Sequence, residues 1–185
     1  MNLIPVFVPS KGRPMSSTAL LLTESGAPFT LVVEPQEEEV YSQFRQSLHV
    51  LPQNNMGLAY VRNYIKRLAG LGWYWMLDDD VSGFYQTSNG KNVRISPRDA
   101  LLGAQRFFVD ENVVGQAALE YQQFAWGAKK AYSLYSYCDV VVAIHGKKTS
   151  QVWYRDEMVL KEDRDFTLQV LAKGLATMRV QTYSF

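Results

Sequence analysis

The sequence predicts one α/β domain: a mostly parallel central sheet flanked by helices, with a smaller antiparallel part in its second half. Three observations carry this. Short apolar runs alternate with helix-like segments between Leu3 and Leu77. The runs are apolar throughout, as strands covered on both faces are, and such strands pair in parallel through right-handed helical crossovers. The 185 residues contain no repeat, linker or low-complexity tract, and a chain of that length buries about two thirds of its unfolded surface around one core.

Taken in order, residues 3–8 (LIPVFV) form an apolar run closed by Pro9, Ser10, Lys11, Gly12, Arg13 and Pro14, which reads as a buried strand feeding a loop. Residues 16–24 read as a helix. Residues 29–33 are a second strand that exits at Glu34 and Pro35; an acidic helix is expected over 37–46, then a short strand at 49–51. Asn54 or Asn55 is placed to cap the next helix. There Val61, Tyr64, Ile65, Leu68 and Leu71 recur at three- and four-residue spacing, while Arg62, Asn63, Lys66 and Arg67 lie off that stripe. Residues 73–77 are the fourth strand. Residues 82–95 read as a hairpin about Asn89-Gly90, a dipeptide suited to the tight turn that strand twist requires. Ser96 caps a helix with Pro97 in its first turn and Asp99 close by, and Ala100, Leu101, Ala104, Phe107 and Phe108 form its apolar face. Residues 113–121 and 137–144 are strands of the antiparallel part, joined by an aromatic loop over 124–135. A last helix opens at Glu162, Asp163 and Asp165 and buries Phe166, Leu168, Val170, Leu171 and Leu175.

Composition bounds the function only loosely. With 47% apolar and 20% charged residues the chain is of the globular class, and a net charge of +1 neither shows nor excludes a nucleic-acid partner. A basic footprint would have to be local, at Lys129-Lys130, Lys147-Lys148 or the Lys91, Arg94, Arg98 group, each of which is also ordinary solvated charge. The single Cys138, in an apolar context, forms no internal disulfide and suits a reducing cytoplasm. LIPVFV is too short for a secretory segment, and no apolar run approaches membrane-spanning length. The expectation is a soluble, cytoplasmic protein with no membrane partner.

Chemistry concentrates where residues 73–77 run into Asp78, Asp79 and Asp80. Acids often cap strands and open turns. Three in a row at the end of a buried strand nevertheless repel one another unless a cation compensates them. Residues two apart share one side of a strand, so Asp78 and Asp80 can converge on one hard divalent cation. Ligands of open α/β sheets bind at the carboxyl ends of the strands. Ser10 to Arg13, Glu34, the segment after Leu51 and the aspartates all fall there.

The order Gly57-x-Ala59-x-x-Arg62-Asn63, then an aromatic strand, then Asp78-x-Asp80, resembles the core of GT-A glycosyltransferases, especially the inverting family 2 type. Glu162-Asp163-x-Asp165 resembles the acidic element that follows the metal motif in such enzymes and supplies the catalytic base. Acids in a helix's first turn also simply favour its dipole. The resemblance implies that residues 1–81 form the nucleotide-sugar half and 82–185 the acceptor half. It implies Mn2+ or Mg2+ on Asp78 and Asp80, and donor contacts from Pro9, Ser10, Lys11, Arg13, Glu34, Arg62, Asn63, Asp78 and Asp79. Asp163 is the preferred base, then Glu162, then Asp165.

More narrowly, VPSKGRP, LDDDVSGF and KEDRDFTLQVLAKG followed by MRVQTYSF resemble bacteriophage glycosyltransferases associated with TET/JBP-type DNA oxygenases. Those enzymes attach sugars to 5-hydroxymethylpyrimidines in phage DNA, which implies a nucleotide-sugar donor, UDP-glucose, and 5-hydroxymethylcytosine or 5-hydroxymethyluracil in DNA as acceptor. On such an acceptor Trp126 and Tyr132, with Phe124 and Tyr135, would stack on an exposed base, and Lys129 and Lys130 would lie near phosphate. Aromatics at this density also fill cores and subunit contacts. The chain ends at Phe185, where such enzymes tend to continue, so a further metal ligand or acceptor loop is expected outside these residues. Other readings are a GT-A enzyme with a carbohydrate or protein acceptor, a nucleotidyltransferase, for which SKGRP is a thin version of the required Gly-rich basic loop, and a degenerate sugar-nucleotide-binding module.

Overall fold

In a computed structural model, which describes residues 1–88, 90–158 and 160–185, four parallel strands occupy one half of a ten-stranded mixed sheet. They are β1 (Val6–Pro9), β2 (Thr30–Val33), β3 (Leu48–Val50) and β4 (Trp73–Leu77), ordered β3-β2-β1-β4. β1 begins later than the apolar run suggests and takes in Pro9. The antiparallel hairpin of β5 (Phe84–Ser88) and β6 (Lys91–Ile95) forms the other edge. Of the turn expected between them, Asn89 lies outside the described residues. β7 (Val114–Glu120), β8 (Tyr132–Leu134), β9 (Val141–His145) and β10 (Ala176–Ser184) complete the sheet, giving the order β3-β2-β1-β4-β9-β7-β10-β5-β6 with β8 paired to β10. β9 runs antiparallel to β4 and β7, and β10 runs parallel to β7.

The helices are α1 (Ser17–Glu24), α2 (Leu58–Ala69), α3 (Pro97–Gln105), α4 (Gln122–Ala125) and α5 (Glu162–Ala172). Ser16 and Ser96 cap α1 and α3 through their hydroxyls, which accept from the Ala19 and Asp99 amides at 3.2 and 3.0 Å; each such cap contributes about 1 kcal/mol. One face of the sheet buries Leu22, Trp75, Leu101 and Phe108 beneath α1 and α3. The other buries Ile65, Tyr74, Met76, Phe166 and Val170 beneath α2 and α5. Each of these side chains contributes on the order of 2 kcal/mol of transfer free energy. Among the described residues no helix is long and apolar enough to cross a membrane.

Several elements differ from the sequence reading. The acidic helix over 37–46 is instead a 3₁₀ turn at Pro35–Glu37 and a kinked pair of 3₁₀ turns over Ser42–Ser47. Tertiary bonds override helix propensity there: the Glu37 carboxylate accepts from the Gly12 amide and the Tyr41 hydroxyl from the Arg13 amide. Gly57, at φ +83°, takes the N-cap of α2 in place of Asn54 or Asn55. Both asparagines are engaged elsewhere, Asn54 accepting from the Gln36 amide and Asn55 donating its own amide to Glu34. On α2 the supposedly outward Arg62 and Lys66 are buried, whereas Leu68 is exposed, as is Leu71 just past the helix end. α3 ends before Phe107 and Phe108. The aromatic loop over 124–135 contains the end of α4 and all of β8, and the strand expected at 137–144 begins only at Val141. β10, nine residues long, has no counterpart in the sequence reading.

Gly146 follows β9 and donates its amide to Gly72 at 2.9 Å, so a Cβ at 146 would collide with the Gly70 carbonyl at the end of α2. Because that neighbour is backbone, Gly146→Ala is expected to cost on the order of 3 kcal/mol, lowering the melting temperature by roughly 6–12 °C in a domain of this size. Thermal unfolding followed by circular dichroism measures it, and a melting point within about 2 °C of the parent would refute this close approach.

Candidate active site

The topology brings distant segments to one end of the sheet. β1 to β4 all finish there, β9 starts there because Val141 pairs with Leu77, and β7 and β10 finish there too. α5 returns to β10 through Gly174, which holds φ +75°, so α5 runs against β10 and its acidic first turn lies at that same end. α2 and α5 share one face, which sets Arg62 beside Glu162.

At the tip of β4 the three aspartates diverge. Asp79 is buried and bonded to Ser10 Oγ at 2.5 Å and to the Arg13 guanidinium at 2.5 Å. The main-chain oxygens of Asp78 and Asp79 accept from Thr18 and Ser16 hydroxyls at 2.6 and 2.8 Å, fixing the acidic turn on the start of α1. Asp78 instead meets Arg62 at 3.0 Å, and the exposed Asp80 meets Arg13 at 3.0 Å. Burial pushes the Asp78 carboxyl up to about 6, Arg62 opposes this, and the charges of Asp80, Asp163 and Asp79 add to it.

This is a local excess of negative charge that a cation would relieve. Among the described residues no group of three or more His, Cys, Asp or Glu side chains could hold a metal by itself. Two carboxylates nevertheless suit Mg2+ or Mn2+, hard cations that complete their shell with phosphate oxygens and water. The residues present therefore fit a cation that arrives with a diphosphate.

A cavity of about 410 Å³ spans the strand ends, within the range of small-molecule sites. Val32, Leu51 and Val61 form an apolar wall near the ends of β2 and β3, while Arg13 and the aspartates form the opposite, ionic end. Every donor-side residue expected from sequence lines it except Asn63. Glu34, 3% exposed, accepts from Lys11 Nζ at 3.0 Å, the Asn55 amide at 2.9 Å and Gln36 Nε2 at 2.8 Å, and so braces the rim. Ser10 is committed to Asp79 and to the Tyr41 hydroxyl at 2.8 Å. Asn63 corrects the reading that put it at the donor. Its side-chain amide both donates to and accepts from the Tyr154 backbone, at 2.7 and 3.0 Å. Tyr154 in turn stacks on Phe166 at 4.4 Å and lies under the Arg62 guanidinium. Asn63 thus positions the floor on which Arg62 rests.

Arg62 ties the two acidic groups together, with one nitrogen on Asp78 and another 3.1 Å from Glu162. Burial works against its charge, but Tyr154, Asp78, Glu162 and Asp163 more than restore it. Asp163 joins Asp78, Arg62 and Tyr154 around a water-sized crevice of about 10 Å³. The three acids of α5 are not equivalent. Glu162 is held by Arg62, and Asp165 by Arg155 at 3.4 Å and Gln169 at 2.7 Å. Among the described residues Asp163 accepts only from the neighbouring Arg164 amide, and no cation pairs with it.

Of the acceptor-side candidates, Trp126 and Lys129 are exposed on the stretch after α4, and Lys130 and Tyr132 line a separate cleft along β8. None of the four reaches the crevice at Asp163. Sequence reading missed Tyr41, Tyr154, Asp139 and Arg179. Of these only Asp139 had a signal, as a lone acid at the start of the apolar run DVVVAI.

The sheet order, the cavity at the strand ends and the paired acidic groups define a GT-A-like fold of the nucleotide-sugar-transferase class. Solved structures agree on the fold: S. aureus TarS (1–349) in complex with UDP-GlcNAc has a TM-score of 0.61 at 15% identity, over 98% of this chain and 57% of that one. CMP:2-keto-3-deoxy-manno-octonic acid synthetase complexed with CTP gives 0.56 at 13% identity, over 94% and 87%. Glucosyl-3-phosphoglycerate synthase from Mycobacterium tuberculosis, in complex with Mg2+ and UDP, gives 0.52 at 7%, over 80% and 58%. The chain thus spans little more than half the length of the TarS fragment. No functionally curated protein matches it in sequence. Residues 4–185 match the model of the TET-Associated Glycosyltransferase family. The chain belongs to that family.

Proposed function

We propose that this protein transfers a hexose from a nucleotide sugar, UDP-glucose by preference, to the hydroxyl of a 5-hydroxymethylpyrimidine in DNA, with inversion at the anomeric carbon and with Mn2+ or Mg2+ as cofactor. One observation carries the reading: Asp163, the only α5 acid without a cationic or side-chain amide partner among the described residues, borders the same crevice as Asp78. Inverting transfer needs a base on the acceptor side and positive charge on the leaving-group side.

The apolar wall of Val32, Leu51 and Val61 takes the nucleoside, and Arg13 faces the diphosphate. Asp78 and Asp80 hold the cation, which when bound neutralises charge on the departing diphosphate. Asp163 accepts the proton of the acceptor hydroxyl as its oxygen bonds to the anomeric carbon. The bond from that carbon to the diphosphate oxygen breaks on the opposite face. Arg62 keeps Glu162 and Asp78 apart and in place, and the Tyr154–Phe166 stack supports Arg62 from below.

Incubation with UDP-glucose, Mn2+ and DNA containing 5-hydroxymethylcytosine or 5-hydroxymethyluracil should give a hexose-mass adduct on intact-mass analysis of the oligonucleotide. If no nucleotide sugar modifies either DNA while an oligosaccharide or protein hydroxyl is modified, the acceptor claim is wrong. A nucleotidyltransferase would instead release pyrophosphate from a nucleoside triphosphate.

A further inference from the structure

A cleft of about 600 Å³ opens at the same end of the sheet as the crevice holding Asp163, and Asp139 lines both. We propose that this cleft is the acceptor site and that it takes a single nucleobase swung out of its stack, held between Tyr137 with Arg164 on one side and Phe124 with Tyr135 on the other. The proposal rests on the DNA reading above and moves the acceptor away from Trp126, Lys129, Lys130 and Tyr132.

The position follows from the chain. Arg164 is the residue after Asp163, and Tyr137 and Asp139 precede β9 at the point where it meets the end of β4. Asp139 lines both the cleft and the crevice bordered by Asp163, so the two spaces adjoin, and in the proposed pose the ring's hydroxymethyl arm extends past Asp139 toward the Asp163 carboxylate. The walls are ring faces that the fold leaves open: Phe124, Tyr135 and Tyr137 are 59%, 72% and 52% exposed. Tyr135 reaches its place through a left-handed backbone, φ +57°, a conformation that costs a non-glycine residue free energy. Its amide is anchored to the Thr177 carbonyl at 2.7 Å. The Arg164 guanidinium lies 4.9 Å over the Tyr137 ring, a planar cationic pair on which a flat heterocycle stacks.

The floor is rigid and polar. Asp139 is held by Arg179 at 2.6 Å and by the Tyr121 hydroxyl at 3.0 Å, and Arg179 is further tied to the Leu119 carbonyl and Glu120. A carboxylate oxygen accepts more than one hydrogen bond, so Asp139 can also take an N–H from a ring edge, as acids do from an amino-pyrimidine. Arg164 at the rim and the exposed Lys161 beside it place positive charge where the backbone phosphates of an extruded nucleotide would pass. A neutral saccharide would also stack on these rings but has no use for that charge.

The test is steady-state transfer from UDP-glucose, with Mn2+, to a single-stranded oligonucleotide carrying one 5-hydroxymethylcytosine. Tyr137→Ala and Arg164→Ala should each raise the oligonucleotide KM roughly tenfold or more, as loss of one stacking partner does. The Arg164→Ala effect should weaken at high salt, and the melting shift given by UDP-glucose with Mn2+ should persist in both variants. Arg164 is on an exposed helix surface, so that variant reports even if Tyr137→Ala folds poorly. A KM unchanged in both variants, with Trp126→Ala or Lys129→Ala raising it instead, overturns the cleft assignment while the DNA reading stands. A parent protein that glycosylates saccharides but no hydroxymethylated DNA overturns both.

Discussion

Asp163→Asn is expected to lower sugar transfer by about a thousandfold, within the range that loss of a general base produces, while UDP-glucose with Mn2+ still raises the melting temperature as in the parent. The amide keeps the shape of the carboxylate and its bond from the Arg164 amide, and it removes only the ability to accept the acceptor's proton. The contrast with its neighbours makes the expectation specific. Glu162→Gln weakens a buried ion pair to Arg62 and is expected to act through stability, and Asp165→Asn weakens a partly exposed pair to Arg155 and should act least. Rates and melting curves on the three variants separate the roles. Transfer by Asp163→Asn within about tenfold of the parent would remove Asp163 as base, and a larger loss in Glu162→Gln at full stability would move the role there.

Much of the fold was legible because its determinants are local. Apolar runs such as TLVV and WYWML become strands wherever both faces are covered, and Ser96-Pro97 starts a helix without outside help. Asp78 to Asp80 and Glu162 to Asp165 stand out as acids at element ends, whatever they do there. What was not legible depends on partners far along the chain. β10 reads ATMRVQTYS, and Arg179 within it looks like a surface residue until Asp139 and Glu120, 40 and 59 positions away, close around it. Asn63 sits beside the site in sequence, but its amide is saturated by the backbone of Tyr154, 91 residues on. Arg62 and Lys66 break the helical stripe because Asp78 and Glu162 neutralise the first, and the Trp153 ring, 4.2 Å away, covers the second. The residues that line the proposed acceptor cleft come from the end of β7, from α4, from one face of α5, from β10 and from the segment that follows the left-handed turn at Tyr135. No sequence spacing joins them.

Asp78→Asn is expected to abolish both transfer and the metal-dependent part of donor binding, and the pH profile identifies the cause. In the ligand-free protein the Asp78 carboxyl titrates near 6, above its ordinary 3.8, because burial and the nearby acids disfavour its charge. A carboxyl raised in the folded state contributes stability that is present below pH 4 and is lost as pH rises through 6. At neutral pH the ligand-free site is therefore strained by its own charge. A cation bound to Asp78 removes that strain and must displace a proton when the pH is below about 6. The melting shift given by UDP-glucose with Mn2+ should accordingly be full at pH 7.5 and fall away between pH 6.5 and 5, roughly tenfold in apparent affinity for each unit below the titration point. UDP-glucose is the right probe, since its diphosphate lacks the terminal phosphate proton that titrates near 6 in UDP. In Asp78→Asn the remaining shift should be small and flat with pH, and the ligand-free variant should melt no lower than the parent at pH 7.5. A metal-dependent shift that survives in Asp78→Asn with its pH dependence intact would place the cation elsewhere and detach the strand-end aspartates from the chemistry.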